Sequence, residues 1–198
     1  MELLIASANP GKIEELRGLL AGVPVTLRTL QEFPELPDFP ESEPTFEANA
    51  IGKARYSAER IGLPTIADDG GLEIDALGGW PGVHSRRIFG DGRRGTDEEL
   101  IAEVLRRMVD LPPDQRGAHM RTVLAVVVGQ EVIATATGVA RGTIAAVPTE
   151  RRFPGYPFRS LFVPDGSADV GSMGHRRAAM QDLLPTLKNW IARQQLGA

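Results

Sequence analysis

The sequence predicts an α/β fold: an elongated mixed β-sheet with flanking helices. Three observations carry this. The chain opens with a short apolar run, a polar break and a helical repeat, the usual start of an α/β unit. Apolar runs then alternate with segments whose hydrophobic residues recur at helical spacing. Two adjacent β-rich stretches, Arg121 to Val128 and Val132 to Thr137, are separated only by Gly129-Gln130, which predicts an antiparallel hairpin.

Leu3, Leu4, Ile5 and Ala6 fit a buried strand, and Asn9-Pro10-Gly11 ends it. From Lys12 onward, Ile13, Leu16, Leu19 and Leu20 mark a helix. Residues 31–44 hold four prolines and five acids, which predicts an irregular loop. A second helix is expected from Thr45 to Ile61, with Phe46, Ala50, Ala54 and Ala58 as its buried stripe. Leu63 to Ala67 reads as a strand that delivers Asp68 and Asp69 at its end. Gly78 to Gly82 is rich in turn residues, and Gly90 to Gly95 is a polar, partly basic loop. Asp97 to Val109 is an amphipathic helix. After the hairpin, Gly142 to Ala146 is expected as a third strand, and Leu161-Phe162-Val163 is a short apolar segment. A last helix runs from His175 to Gln194, with Ala179, Leu183, Leu187 and either Trp190 or Ile191 inward.

At 198 residues the chain is expected to form a single domain over 1–198, with the hairpin region, about 121–146, as a lobe of it. The net charge of −4 argues against a large basic surface for nucleic acid. The absence of cysteine excludes disulfides, thiol catalysis and cysteine-ligated zinc. No apolar run approaches the ~18–20 residues that span a bilayer. The N-terminus lacks the pattern of a signal peptide. A cytoplasmic location, with neither nucleic acid nor membrane as partner, is the expectation.

Chemistry concentrates in three places. Ser7-Ala8-Asn9-Pro10-Gly11-Lys12 places a polar loop and a lysine at a helix start, where backbone N–H groups favour anions. It is not a P-loop, and a capped helix with a surface lysine would look the same. The stretch Ile66-Ala67-Asp68-Asp69-Gly70-Gly71-Leu72 sets two carboxylates side by side. Such acids repel unless a cation or a shared proton relieves them, and hard cations such as Mg²⁺ take carboxylate oxygens. A solvated turn would place acids there too. Asn49 and Lys53, four apart on the second helix, share a face off the apolar stripe and read equally well as solvated surface.

Taken together these stretches resemble the inosine triphosphate pyrophosphatase, or Ham1-like, family. The matching segments are SANPGKIEEL (7–16), ESEPTFEANAIGKA (41–54) and LPTIADDGGLEIDALGGWPGVHSRR (63–87), in the family's order and spacing. Weaker similarity continues to GHRRAA (174–179). The resemblance implies Mg²⁺-dependent hydrolysis of nucleoside triphosphates to the monophosphate and pyrophosphate, with deaminated purines such as inosine and xanthosine triphosphates preferred. It implies two lobes around a central nucleotide-binding cleft, and a homodimer. Carried over by position, Ser7, Asn9 and Lys12 hold the triphosphate, Lys53 adds positive charge, Glu41 and Asp69 bind the metal, and Asp68 or Asp69 activates the water. Gly70, Tyr156, Phe158, Arg159, His175 and Arg176 complete the expected substrate contacts.

The departures fall in the base-reading half. The family usually carries glycine-phenylalanine-glycine-tyrosine-aspartate-proline before an apolar pair. Here residues 153–162 read FPGYPFRSLF, so that, anchored on Leu161-Phe162, Arg159 stands for the aspartate and Ser160 for the proline. Anchored on Gly155-Tyr156, the aspartate is simply absent. Gly174 replaces a serine, Val170 a lysine, Gly70 a common serine and Glu43 a common glycine. Phosphate and metal groups are kept while base-reading groups change character, which predicts altered or relaxed base selectivity. Arg86, Arg87, Arg93 and Arg94 form a local basic group that suits phosphate contacts, subunit contacts or plain surface.

Overall fold

Leu3, Leu4, Ile5 and Ala6 are all buried, and a sheet covered on both faces is what removes four consecutive side chains from water. The computed structural model, which describes residues 1–90, 92–166 and 174–196, places them in β1 (Glu2–Ala6). β1 pairs in parallel with β2 (Thr26–Thr29) on one side and with β3 (Thr65–Ile74) on the other. Parallel neighbours need crossover connections. Helix α1 (Pro10–Leu19) supplies the first and α2 (Phe46–Ile61) the second.

Among the described residues the sheet has seven strands, in the order β2-β1-β3-β5-β6-β7, with β4 (Trp80–Pro81) antiparallel to β3. Here β5 is Gly117–Val128, β6 is Glu131–Ile144 and β7 is Phe162–Pro164. β5 and β6 meet across the two-residue turn Gly129-Gln130, and Gly129 takes a positive φ of 56° there, as such hairpin turns require. α3 (Asp97–Arg107) and α4 (His175–Leu196) complete the fold.

The chain divides into two compact units. The first comprises residues 1–69, 122–138 and the C-terminal helix from Arg176. On one face of its sheet, Leu3, Ile5, Ile66, Leu124 and Val126 pack with Leu16 of α1 and with Ala179, Leu183, Leu187 and Ile191 of α4. On the other face, Ala6, Ala67 and Val127 pack with Ala54 and Ala58 of α2, small residues that let helix and sheet approach closely. The second unit comprises residues 70–121 and 139–175. Its core joins Leu100, Val104 and Met108, on or just past α3, to Leu72, Ile74, Met120, Ile144 and Phe162 of the strands.

The expected helices are present. Thr45 caps α2 by accepting a hydrogen bond from the Ala48 N–H, and all four residues of its expected stripe are buried. In α4, Ile191 rather than Trp190 fills the inward position. The strands required three corrections. β2 was not anticipated: it is four residues long and half exposed, too short for a clear alternation. Gly142 to Ile144 is the far end of the 14-residue β6, not a separate strand. Above all, Asp68 and Asp69 do not end a strand. β3 runs on through Gly70 and Gly71 to Ile74, so the two acids lie in its middle. Gly71 serves close approach there rather than a turn. A Cβ on Gly71 would collide with Ser85 Oγ and sit 2.7 Å from the Gly82 carbonyl oxygen. That same Ser85 Oγ accepts a hydrogen bond from the Leu72 N–H at 3.1 Å.

Candidate active site

Successive residues of a strand face opposite sides of the sheet. Ile66 packs toward α1 and α4 and Ala67 toward α2, so two residues on Asp68 faces the first pair and Asp69 faces α2. Both acids are buried, at 1% and 7% exposure, which rules out a solvated turn.

Asp68 is held by cations. The Arg176 guanidinium donates to its Oδ2 at 3.0 Å. Lys12 Nζ lies 3.2 Å from Oδ1, an ion pair outside hydrogen-bonding geometry. Arg176 is fixed in turn by Glu15 of α1, to which it donates at 2.6 Å. The Thr122 hydroxyl of β5 lies 3.2 Å from the Asp69 carbonyl oxygen and 3.4 Å from Asp68 Oδ2. Burial alone would raise the Asp68 carboxyl, but Lys12, Arg176 and Lys53 outweigh it and hold the group well below the usual carboxylate range. Asp68 is an anion at every ordinary pH.

Asp69 is the opposite case. Its Oδ2 is buried and has no hydrogen-bond partner among the described residues. Burial, opposed by Lys53 and Lys12 and reinforced by the Glu41 and Asp68 charges, pushes its carboxyl up to about 6. Lys53 reaches in from α2, donating to the Asp68 backbone carbonyl at 3.1 Å and pairing with Glu41. Burial would lower the Lys53 ammonium, yet Glu41, Asp69 and Asp68 together hold it above its ordinary value. Three carboxylates therefore surround one buried lysine.

The expected anion seat lies at the start of α1. Asn9 is its N-cap: Oδ1 accepts from the Gly11 N–H at 2.9 Å and the Lys12 N–H at 3.4 Å. Ser7 Oγ accepts from the Asn9 N–H at 3.2 Å. Ser7, Asn9 and Lys12 thus share one tight loop at the positive end of a helix. Asn49 and Lys53 are not solvated surface. Asn49 is fully buried, with its amide bonded to the Glu43 backbone, and Lys53 is largely covered.

Among the described residues, no group of three or more His, Asp and Glu side chains forms a metal cage. A Mg²⁺ site does not require one, because Mg²⁺ keeps waters and shares substrate phosphates, needing only one or two carboxylates. The buried, unpartnered Oδ2 of Asp69 suits a hard cation, and the Glu41 carboxylate lies close enough to raise Asp69 by its charge.

The remaining expected substrate contacts belong to the second unit, except Arg176. The Arg159 guanidinium lies 4.0 Å from the Tyr156 ring centroid and 5.9 Å from that of Phe153. Arg151 covers Phe153 at 4.6 Å. The Gly155 N–H donates to Asp97 Oδ2 at 2.8 Å, fixing this segment to the start of α3. Phe158 is buried with Leu161 and Phe162 in the core. Gly70 is half-buried in β3, and His175 is buried at the first residue of α4. Val170 lies outside the described residues. Of the basic group, Arg86 pairs with Asp97 at 2.7 Å and Arg93 with Glu99 at 2.9 Å. Sequence patterns missed Glu15 and Thr122, which act only through contacts across the fold. The one local signal is that Glu15 follows Lys12 by three residues on the same helix.

Known proteins resemble this chain over nearly its whole length. The model of the Ham1 family matches residues 3–185. A dITP/XTP pyrophosphatase of Mycobacterium bovis is 39% identical over 201 residues, covering 95% of this chain and 96% of its own. One from Geobacillus kaustophilus is 36% identical over 191 residues, covering 96% and 87%. The crystal structure of a nucleoside-triphosphatase, dITP/XTP pyrophosphatase, from Mycobacterium abscessus matches with a TM-score of 0.71 at 37% identity, covering 96% of this chain and 98% of that one.

Proposed function

Because this chain belongs to the Ham1 family, we propose that it hydrolyses non-canonical purine nucleoside triphosphates, of the dITP and XTP class named for its relatives, to the monophosphate and pyrophosphate. The observation that carries the reading is Asp69: a buried carboxylate with an unpartnered oxygen and a pKa near 6, beside the cations Lys12 and Lys53.

A base that works near neutral pH should have a pKa close to it. Above pH 6 Asp69 is ionised, and its free oxygen takes the proton of a water whose oxygen attacks the α-phosphorus. The α–β bridging bond breaks and pyrophosphate leaves with the electron pair. Asp68, held far below that range by Lys12 and Arg176, is a poor proton acceptor. Its role is to keep those two cations in place. Lys12, at the positive end of α1, and Lys53 offset phosphate charge. Glu41 and Asp69 would hold Mg²⁺, which supplies Lewis-acid stabilisation of charge on the phosphoryl oxygens. Ser7 and Asn9 order the loop that receives the phosphates. The same reading carries a homodimer in the cytoplasm. No helix among the described residues is long and apolar enough to cross a membrane.

A second reading, with base selectivity relaxed to include the ordinary 6-oxopurine guanine, is favoured by Arg159, a cation stacked on Tyr156 where, anchored on Leu161-Phe162, the resemblance leads one to expect an aspartate. One experiment serves both. Pyrophosphate release is measured with Mg²⁺ over dITP, XTP, dATP, dGTP and dCTP. The first reading expects kcat/KM for dITP and XTP to exceed the others by at least tenfold. Comparable rates on dITP, XTP and dGTP support the second, and no pyrophosphate from any of the five defeats both.

A further inference from the structure

Asn49 is fully buried, and both ends of its amide are spent on one residue of the preceding loop. Its Oδ1 accepts from the Glu43 N–H at 3.0 Å, and its Nδ2 donates to the Glu43 carbonyl at 3.2 Å. Three further residues of α2 hold the same loop. Gly52 leaves space for the Phe39 ring, since a Cβ there would lie 2.7 Å from its tip. Tyr56 packs against Phe39 with ring centroids 5.7 Å apart. Lys53 pairs with Glu41 itself. Asn49, Gly52, Lys53 and Tyr56 stand at i, i+3, i+4 and i+7, one face of a helix. The loop is thus gripped at Phe39 and Glu43, on either side of Glu41. A turn in which the Ser42 N–H donates to the Pro40 carbonyl at 2.9 Å closes around it.

The geometry points to Asn49 as a positioning residue for Glu41: by clamping the Glu43 backbone it sets the Glu41 carboxylate where a divalent cation can be taken. This rests on the reading of Glu41 as a metal ligand. At 0% exposure the amide presents no surface to a bound substrate. Partners that orient a ligating carboxylate are worth about 10–100-fold in metal affinity.

The test uses Mn²⁺ as probe, with free Mn²⁺ read by electron paramagnetic resonance on the full chain without nucleotide. The Mg²⁺ concentration for half-maximal dITP turnover is measured alongside. Asn49→Ala is expected to weaken Mn²⁺ binding by about 10–100-fold and to raise the half-maximal Mg²⁺ in proportion. KM for dITP at saturating Mg²⁺ should stay within about twofold, a split that a general loss of structure would not give. Glu43→Ala, which keeps the backbone partner, is expected to change neither. If Asn49→Ala does not fold, Asn49→Asp retains the acceptor for the Glu43 N–H and is read in its place. Glu41→Gln separates the two layers. Should it weaken Mn²⁺ binding while the Asn49 variant binds as the parent does, the positioning role is overturned and the metal reading stands. If Glu41→Gln leaves Mn²⁺ binding intact, the metal reading falls and takes this inference with it.

Discussion

The surroundings of Asp68 and Asp69 and the segment from Arg151 to Ser160 solve the problem of charge in opposite ways. Around the two acids of β3 the charges are buried or largely covered and held across the fold. Arg176 is fixed by Asp68 and Glu15, and Lys53 by Glu41 and the Asp68 carbonyl. In the other segment the arginines lie over aromatic rings of their own loop, Arg151 on Phe153 and Arg159 on Tyr156. A buried charge network tolerates little change, because removing one member strands the others in a low dielectric. Cation–π contacts near a surface are worth only about 0.5–1 kcal/mol. Of the residues where this chain departs from its family pattern, Arg159 and Ser160 fall in the second segment, while Gly70 and Glu43 lie beside the network without carrying its charges.

Asp69→Asn is the sharpest way to break that comparison. As the proposed base, its loss should lower kcat by about 10²–10⁴-fold. The same change should stabilise the protein without metal. The folded-state pKa of about 6 lies above the 3.8 of an aspartate in the unfolded chain. Between those values the folded state binds more protons, so stability falls as pH rises through the window, and the full cost is present above it. At 1.36 kcal/mol per unit the cost is about 3 kcal/mol. Urea unfolding in chelator should show the Asn variant more stable than the parent by up to about this amount at pH 7.5, and equal to it near pH 4. A destabilised variant at pH 7.5 would mean that Asp69 is paired rather than stranded.

Arg176→Ala attacks the neighbouring carboxylate. It leaves Asp68, at 1% exposure, with Lys12 as its main partner. Breaking a buried pair typically costs about 3–5 kcal/mol, and a fall of that size in unfolding free energy is expected at pH 7.5. Because the Asp68 pKa is depressed, its stabilisation is present above the unfolded value and lost as pH falls. The variant and parent should therefore converge toward low pH, as for Asp69→Asn, but from the opposite side: here the variant is the less stable of the two at pH 7.5. Parallel pH profiles for the two variants would show that the acids do not have separate roles.

The helices and the identity of the buried acids were legible because they rest on local pattern. The stripe Phe46, Ala50, Ala54 and Ala58 needs only helical spacing, and Asp68-Asp69 stood out as adjacent like charges. The course of β3 was not legible. Gly70-Gly71 reads locally as a turn, and its true cause, Ser85 seated against Gly71, lies fourteen residues away. The same limit hid Glu15, Thr122 and the Asn49 clamp, whose partners come from other elements or an irregular loop. Asn49 looked solvated because its pattern of neighbours records only that it lies off the apolar stripe. That stripe does not reveal that a proline-rich loop packs on the face carrying Asn49, Gly52, Lys53 and Tyr56.

Arg159 offers the mildest test of the comparison. Hypoxanthine, xanthine and guanine carry two acceptors, O6 and N7, on one edge, and adenine presents a donor in place of O6. A guanidinium can donate to both acceptors, and a good bidentate contact of this kind discriminates by about 1–3 kcal/mol. Arg159→Ala should therefore lower kcat/KM for dITP by about tenfold and leave dATP within about twofold. Arg159→Asp should shift the ratio further, because a carboxylate repels O6 and N7 instead of bonding to them. If both variants keep the parent's dITP-to-dATP ratio, the arginine only braces Tyr156, and base selection belongs to other residues. If they lose the ratio without losing stability, the segment from Arg151 to Ser160 is where this chain can change its substrate while the charge network stays fixed.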